Sequence, residues 1–82
     1  MRLDKYLKLS RIIKRRTVAN EACDMQRVKV NGRDAKASYN VKIGDTVEIA
    51  FGAKTLRFEV CDLSENLPKE KCSQMYRVLE EI

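Results

Sequence analysis

The sequence predicts a small α+β domain, with two N-terminal helices packed on a small, mostly antiparallel sheet and a C-terminal helix added. Three observations predict it. Apolar residues recur at helical spacing in two short stretches near the start; between residues 28 and 60 they alternate with polar ones as strands do; from Cys72 onward the helical spacing returns. At 82 residues the chain reads as one compact unit, with residues 1–62 forming helices and sheet and residues 63–82 forming a linker and an amphipathic helix that packs on them. A chain this short buries roughly 60–65% of its unfolded surface, enough for a modest core and too little for a deep enzyme cavity.

Leu3, Tyr6 and Leu7 give the i, i+3, i+4 spacing of a first helix from about Arg2 to Ser10. Its opposite face carries Asp4, Lys5, Lys8 and Arg11. Asp4 suits the first turn of a helix and stands four residues before Lys8, where a pair can form. Ser10 to Lys14 is a short connection whose Ile12 and Ile13 reach the core. The second helix spans about Arg15 to Met25, with Val18, Ala19, Ala22 and Met25 inward and Asn20, Glu21 and Asp24 opposite. Met25-Gln26-Arg27 occupies the place where a helix-ending glycine is expected.

Val28-Lys29-Val30-Asn31 alternates as a half-buried strand, and Asn31-Gly32 signals a tight turn because both residues tolerate positive φ. Arg33 to Asn40 reads as loop, with Tyr39 the one aromatic expected at the surface. Val41 and Ile43 return to the core before a turn at Gly44-Asp45. Thr46 to Phe51 then alternates, with Val47, Ile49 and Phe51 inward; Gly52-Ala53-Lys54 joins it to a partner strand bearing Leu56, Phe58 and Val60. Asp62 to Pro68 is a linker, and Pro68 is placed to start the last helix. There Cys72, Met75, Tyr76, Leu79 and Ile82 form an apolar stripe.

Charge is distributed unevenly. Residues 1–36 hold eleven Lys or Arg against four acids, a net of +7, while residues 37–82 hold six against eight, a net of −2. A basic half joined to a slightly acidic one points to a surface that faces a polyanion. Three of those cations, Lys14-Arg15-Arg16, stand where the second helix begins. The exposed amides there are partly positive, so basic residues are disfavoured by roughly 0.3–1 kcal/mol each, and the same convergence makes a good anion site. Arg16 and Asn20 share one exposed edge of this helix, so both can meet the same ligand backbone.

Other classes find less support. The chain has no His, and Cys23, Cys61 and Cys72 lack any C-x-x-C spacing, which argues against a zinc site and a disulfide framework; each Cys reads as a small buried hydrophobe. Without His, a Gly-rich phosphate loop or a carboxylate pair in a cleft, nothing nominates a catalytic group, so neither enzymatic activity nor a cofactor is expected. No apolar run approaches the roughly 18 residues of a membrane span and no signal-peptide core follows Met1, which leads to the expectation of a cytoplasmic monomer with no membrane contact. A DNA-binding helix-turn-helix protein and a basic adaptor for acidic proteins remain open beside RNA binding; Glu21 and Asp24 on the exposed face of the second helix disfavour the duplex-DNA reading.

Arg2-Leu3-Asp4-Lys5-x-Leu7, Ser10-Arg11, Val28-x-Val30-Asn31-Gly32 and Val41-x-x-Gly44-Asp45 resemble the RNA-binding domain named after ribosomal protein S-four, over roughly residues 1–50. The whole chain is similar to the heat-shock-protein-fifteen family, and Arg11-Ile12-Ile13-Lys14-Arg15-Arg16-Thr17 with Ala35-Lys36-Ala37-Ser38 align it with that family's small ribosome-associated quality-control factors. It departs from the pattern in lacking the glycine near Gln26 and in carrying Ala37 where many relatives have proline. The resemblance implies the S-four-type (αL-motif) fold. It also implies binding to large-subunit ribosomal RNA and tRNA, on a large ribosomal subunit with a stalled nascent chain, while a partner quality-control factor directs tailing of that chain. On this reading Arg2, Lys5, Arg11, Lys14, Arg15 and Arg16 meet the RNA backbone, with Lys29, Asn31 and Arg33 extending the face; Arg16 and then Arg2 carry most weight, since both match the motif. Few aromatics are available for stacking, which favours recognition of folded RNA by shape.

Overall fold

The structure, a computed structural model, describes residues 1–81, and of Lys69 the backbone alone. Helices α1 (Leu3–Leu9) and α2 (Arg16–Asp24) precede strands β1 (Val28–Val30), β2 (Arg33–Asp34), β3 (Thr46–Phe51) and β4 (Lys54–Val60); a 3-10 segment (Lys69–Met75) and β5 (Tyr76–Glu81) complete the chain. The strands form one antiparallel sheet in the order β2-β1-β3-β4-β5.

Alternation along the strands decides which face is covered. Val28, Val30, Val47, Ile49, Phe58 and Val60 share the face on which Leu3, Tyr6 and Leu7 of α1 and Ala19 and Cys23 of α2 are buried. The opposite face is charged: Arg57 Nη1 lies 2.8 Å from Glu80 and its Nη2 3.4 Å from Glu48, while Arg77 lies 2.6 Å from Glu59. Asn31 (φ 53°) and Gly32 (φ 83°) both take the left-handed conformation between β1 and β2, as a two-residue hairpin matched to strand twist requires.

The expected C-terminal helix is not formed. Met75 follows Cys72 at the three-residue repeat of a 3-10 turn, which places both in the interior without an α-helix. From Tyr76 the chain instead pairs with the free edge of β4, where Tyr76 stands opposite Val60 and Val78 opposite Phe58, with a register shift beside Arg57. The sheet hydrogen bonds win because β4 would otherwise present an edge of unpaired N–H and C=O groups. The Met75 carbonyl pins this segment, accepting from the Cys61 amide at 2.8 Å, the Asp62 amide at 3.2 Å and the Tyr6 hydroxyl at 2.7 Å. Ile82, placed at the end of the expected stripe, lies outside the described residues.

Three smaller expectations also change. Ile43 is 65% exposed, because the Lys42 and Asp45 backbones close a turn and put Ile43 at its tip. Phe51, at the end of β3 and opposite Lys54, is likewise exposed. Of the three cysteines, Cys23 and Cys72 are buried and Cys61 is at the surface.

Candidate nucleic-acid interface

The two helices begin differently. At α1, the Leu3 amide donates to the Tyr39 carbonyl at 2.7 Å and the Asp4 amide to the Ala37 carbonyl at 3.1 Å, so the loop after β2 caps this helix; Ala35 and Ala37 are buried there, small enough to let the loop approach. The Lys5 amide donates to Asp4 Oδ1 at 2.8 Å. At α2 the flanking residue is Arg15, which offers no side-chain cap, and no acid stands in the first turn. Its first amides are left open beside Arg15 and Arg16, both exposed.

Asp4 is the centre of this region. Expected on the exposed face of α1 and paired with Lys8, it is instead 2% exposed and turned toward α2. Arg2 Nε donates to its Oδ1 at 3.2 Å and Arg2 Nη2 to its Oδ2 at 3.3 Å; Arg16 Nε lies 3.4 Å from Oδ2, and Asn20 Nδ2 donates to the same oxygen at 3.4 Å. Burial pushes the Asp4 carboxyl up, but the bonds from Arg2, Asn20, the Lys5 amide and Arg16 outweigh it and hold it below the ordinary value of 3.8. The two arginine side chains remain about half exposed, at 50% for Arg2 and 49% for Arg16. A buried anion thus fixes two arginines side by side with donors still free to face outward.

That carboxylate also sets the rotation of α2. Arg16 and Asn20, four residues apart, turn inward to meet it, so Ala19 and Cys23 form the buried stripe and Val18 and Met25, expected inside, are exposed. Burial, and then the charges of Asp4 and Asp24, push the Cys23 thiol up to about 11, so it stays neutral.

The helix ends explain two further positions. Gln26, where a helix-ending glycine is expected, adopts φ 58°; its amide donates to the Cys23 carbonyl at 3.0 Å and the Arg27 amide to the Ala22 carbonyl at 2.9 Å, which is a Schellman cap built without glycine. Arg11 (φ 63°) plays the corresponding part after α1, its amide donating to the Lys8 carbonyl at 3.1 Å. The left-handed turn carries Arg11 to the surface beside Lys14.

The remaining expected residues divide. Lys5 is paired with Glu65 at 2.7 Å. Lys29 projects from the charged face of the sheet, in register with Asp34 and Glu48 and away from the helices. Asn31 is held in the turn: its Nδ2 donates to Asp45 Oδ1 at 3.2 Å and its Oδ1 accepts from the Thr46 amide at 3.0 Å. Arg33 is exposed on the edge strand near Tyr39, which is half-buried rather than exposed and donates its hydroxyl to Asp45 at 3.0 Å. Of the expected cations, Asp4 therefore brings Arg2 and Arg16 together, with Arg15 beside Arg16 at the start of α2, while Arg11 and Lys14 line a separate hollow with Lys8.

Comparison with known proteins places the chain in a family. The S4 domain family matches residues 1–47, the part that contains both helices and the hairpin turn. The chain is 53% identical over 81 residues to the RQC P-site tRNA stabilizing factor of Streptococcus pneumoniae, covering 99% of this chain and 92% of the relative, and 48% identical over 81 residues to the factor of the same name in Bacillus subtilis, covering 99% and 94%. It belongs to this family of S4-domain proteins. The trimeric structure of Vibrio cholerae Heat Shock Protein 15 superposes with a TM-score of 0.88 at 29% identity, over 96% of this chain and 81% of that one. The sheet that continues past the S4 match, through β4 and β5, is thus shared with a solved member of the wider family.

Proposed function

We propose that this protein is a non-catalytic RNA-binding factor that holds tRNA on a large ribosomal subunit carrying a stalled nascent chain, in contact with ribosomal RNA, while a partner quality-control factor extends that chain. The observation that carries the reading is the buried Asp4 carboxylate that fixes Arg2 and Arg16, half exposed, next to the uncapped start of α2. Two aligned forks and a row of open amides suit the closely spaced phosphates of a folded RNA. The names of the relatives, RQC P-site tRNA stabilizing factors, support tRNA as that RNA.

Arg2, Arg11, Lys14, Arg15 and Arg16 make the contact, and Arg33 extends it along the sheet edge. Lys5 and Asn31 serve the fold through Glu65 and Asp45, and Lys29 points elsewhere. Glu21 and Asp24 are exposed on α2, so a DNA duplex laid along that helix meets two like charges. Binding of tRNA and of a DNA duplex of equal length, measured over a salt series, tests the reading. With about six phosphates neutralised, tRNA affinity falls roughly a thousandfold between about 50 and 200 mM salt, and tRNA binds more tightly than the duplex throughout. Equal affinity for the two contradicts the reading.

A further inference from the structure

A second basic feature lies at the other end of α1. Lys8, Arg11 and Lys14 rim a hollow of about 270 Å³ whose wall is formed by Leu9 from α1 and by Leu67 and Cys72 from the C-terminal segment. None of the three cations has a carboxylate within 4.0 Å among the described residues, whereas Lys5, one turn before Lys8, does. The carbonyls that end α1 do not neutralise them either. The Lys8 carbonyl accepts from the Arg11 amide at 3.1 Å, and the Leu7 carbonyl accepts from the Ile13 amide at 3.1 Å and the Ser10 hydroxyl at 3.2 Å.

The hollow thus pairs an unpaired triple-cation rim with an apolar wall. A bare phosphate needs only the rim. An apolar wall adds affinity for a ligand that carries a flat apolar surface next to its phosphate. Its volume is near the lower end of small-molecule sites, roughly 300 Å³, which suits one such unit and not a longer segment. The chemistry that joins a phosphodiester to one flat ring is a nucleotide taken out of its stack, as occurs at bulges and loops of folded RNA.

We propose that this hollow receives one unstacked nucleotide of the bound RNA, with its phosphate on Lys8, Arg11 and Lys14 and its base against Leu9 and Leu67. This rests on the RNA-binding reading above and adds to it. Lys8 becomes a contact residue, and Leu67 and Cys72, which lie beyond the S4 match at residues 1–47, become part of the RNA site. The C-terminal segment then does more than complete the sheet. It supplies one wall of the pocket, held in place by the bond from the Tyr6 hydroxyl to the Met75 carbonyl and by the Cys72 thiol donating to the Pro68 carbonyl at 3.6 Å.

The test is a titration of the whole, isotope-labelled protein by NMR with adenosine 5′-monophosphate, adenosine and inorganic phosphate in turn. The expected result is a saturable shift of amides in residues 8–14 and 67–72 with the nucleotide, at least about tenfold tighter than with phosphate or adenosine alone. Lys14→Ala weakens it several-fold, and Arg16→Ala leaves it unchanged within about twofold, since one charge-assisted contact is lost only in the former. Equal affinity for phosphate and nucleotide, shifts confined to the start of α2, or no saturable shift each overturn the proposal. Because Arg16→Ala is expected to spare this pocket while weakening tRNA binding, the pocket and the helix-start interface fail separately.

Discussion

Asp4 Oδ2 lies 3.4 Å from Arg16 Nε across the junction of α1 and α2, and the Asp4 side chain is 3% exposed while that of Arg16 is 49% exposed. The pair is asymmetric in what it can give up. Removing the arginine leaves the buried carboxylate still bonded to Arg2, Asn20 and the Lys5 amide, whereas removing the carboxylate releases both Arg16 and Arg2 from fixed positions.

Asp4→Asn separates charge from position. It raises the net charge of the protein by one, so attraction to RNA by charge alone predicts tighter binding. Positioning predicts the reverse: tRNA affinity falls about tenfold, because Asn offers one neutral acceptor oxygen in place of two charged ones and can no longer hold both guanidiniums in orientation. Binding measured on protein shown to be folded decides between the two signs.

The same carboxylate gives a pH dependence. Its pKa is depressed in the folded protein, so the stability it contributes is fully present above its ordinary value of 3.8 and is lost as pH falls through the lower folded value. Thermal melts from neutral pH down to acid therefore show wild type losing more stability than Asp4→Asn below about pH 4, with the two curves converging. Curves that stay parallel down to acid contradict this.

Gln26→Gly stabilises the protein by about 0.5–1 kcal/mol, a rise in Tm of several degrees. The left-handed φ of 58° is strained for Gln, and its exposed side chain forms no hydrogen bond within the described residues that the change removes. A melting temperature equal to or below that of wild type counts against the Schellman account of this helix end.

Asn31→Ala destabilises by about 2 kcal/mol, through the positive φ and the two bonds to Asp45 and Thr46. At temperatures where it remains folded, its tRNA affinity stays within about twofold of wild type. A binding defect in the folded variant, as large as that of Arg16→Ala, means that Asn31 touches RNA after all.

Much of this was legible in advance because local patterns and global packing agree. Leu3, Tyr6 and Leu7 fix the buried face of α1, Asn31-Gly32 fixes the hairpin, and Val47, Ile49, Phe58 and Val60 fix the central strands. What misled was periodicity that two structures can satisfy. Cys72, Met75 and Tyr76 fit an α-helix as well as a 3-10 turn entering a strand, and only the free edge of β4 distinguishes them. Asp4 was misplaced for a different reason. Sequence spacing puts it on a polar face, but it does not reveal that Arg2, Arg16 and Asn20 converge from two elements to make burial of its charge tolerable. That convergence also turned α2 and exposed Val18 and Met25.

Sedimentation of cell lysate through a sucrose gradient, comparing wild type with Arg16→Ala, tests the central claim most directly. Wild type is expected to run with the large ribosomal subunit, and Arg16→Ala, purified in parallel and checked to be folded, to remain near the top. Wild type that stays at the top even in low salt, or a variant that sediments with the subunit as fully as wild type, contradicts the account.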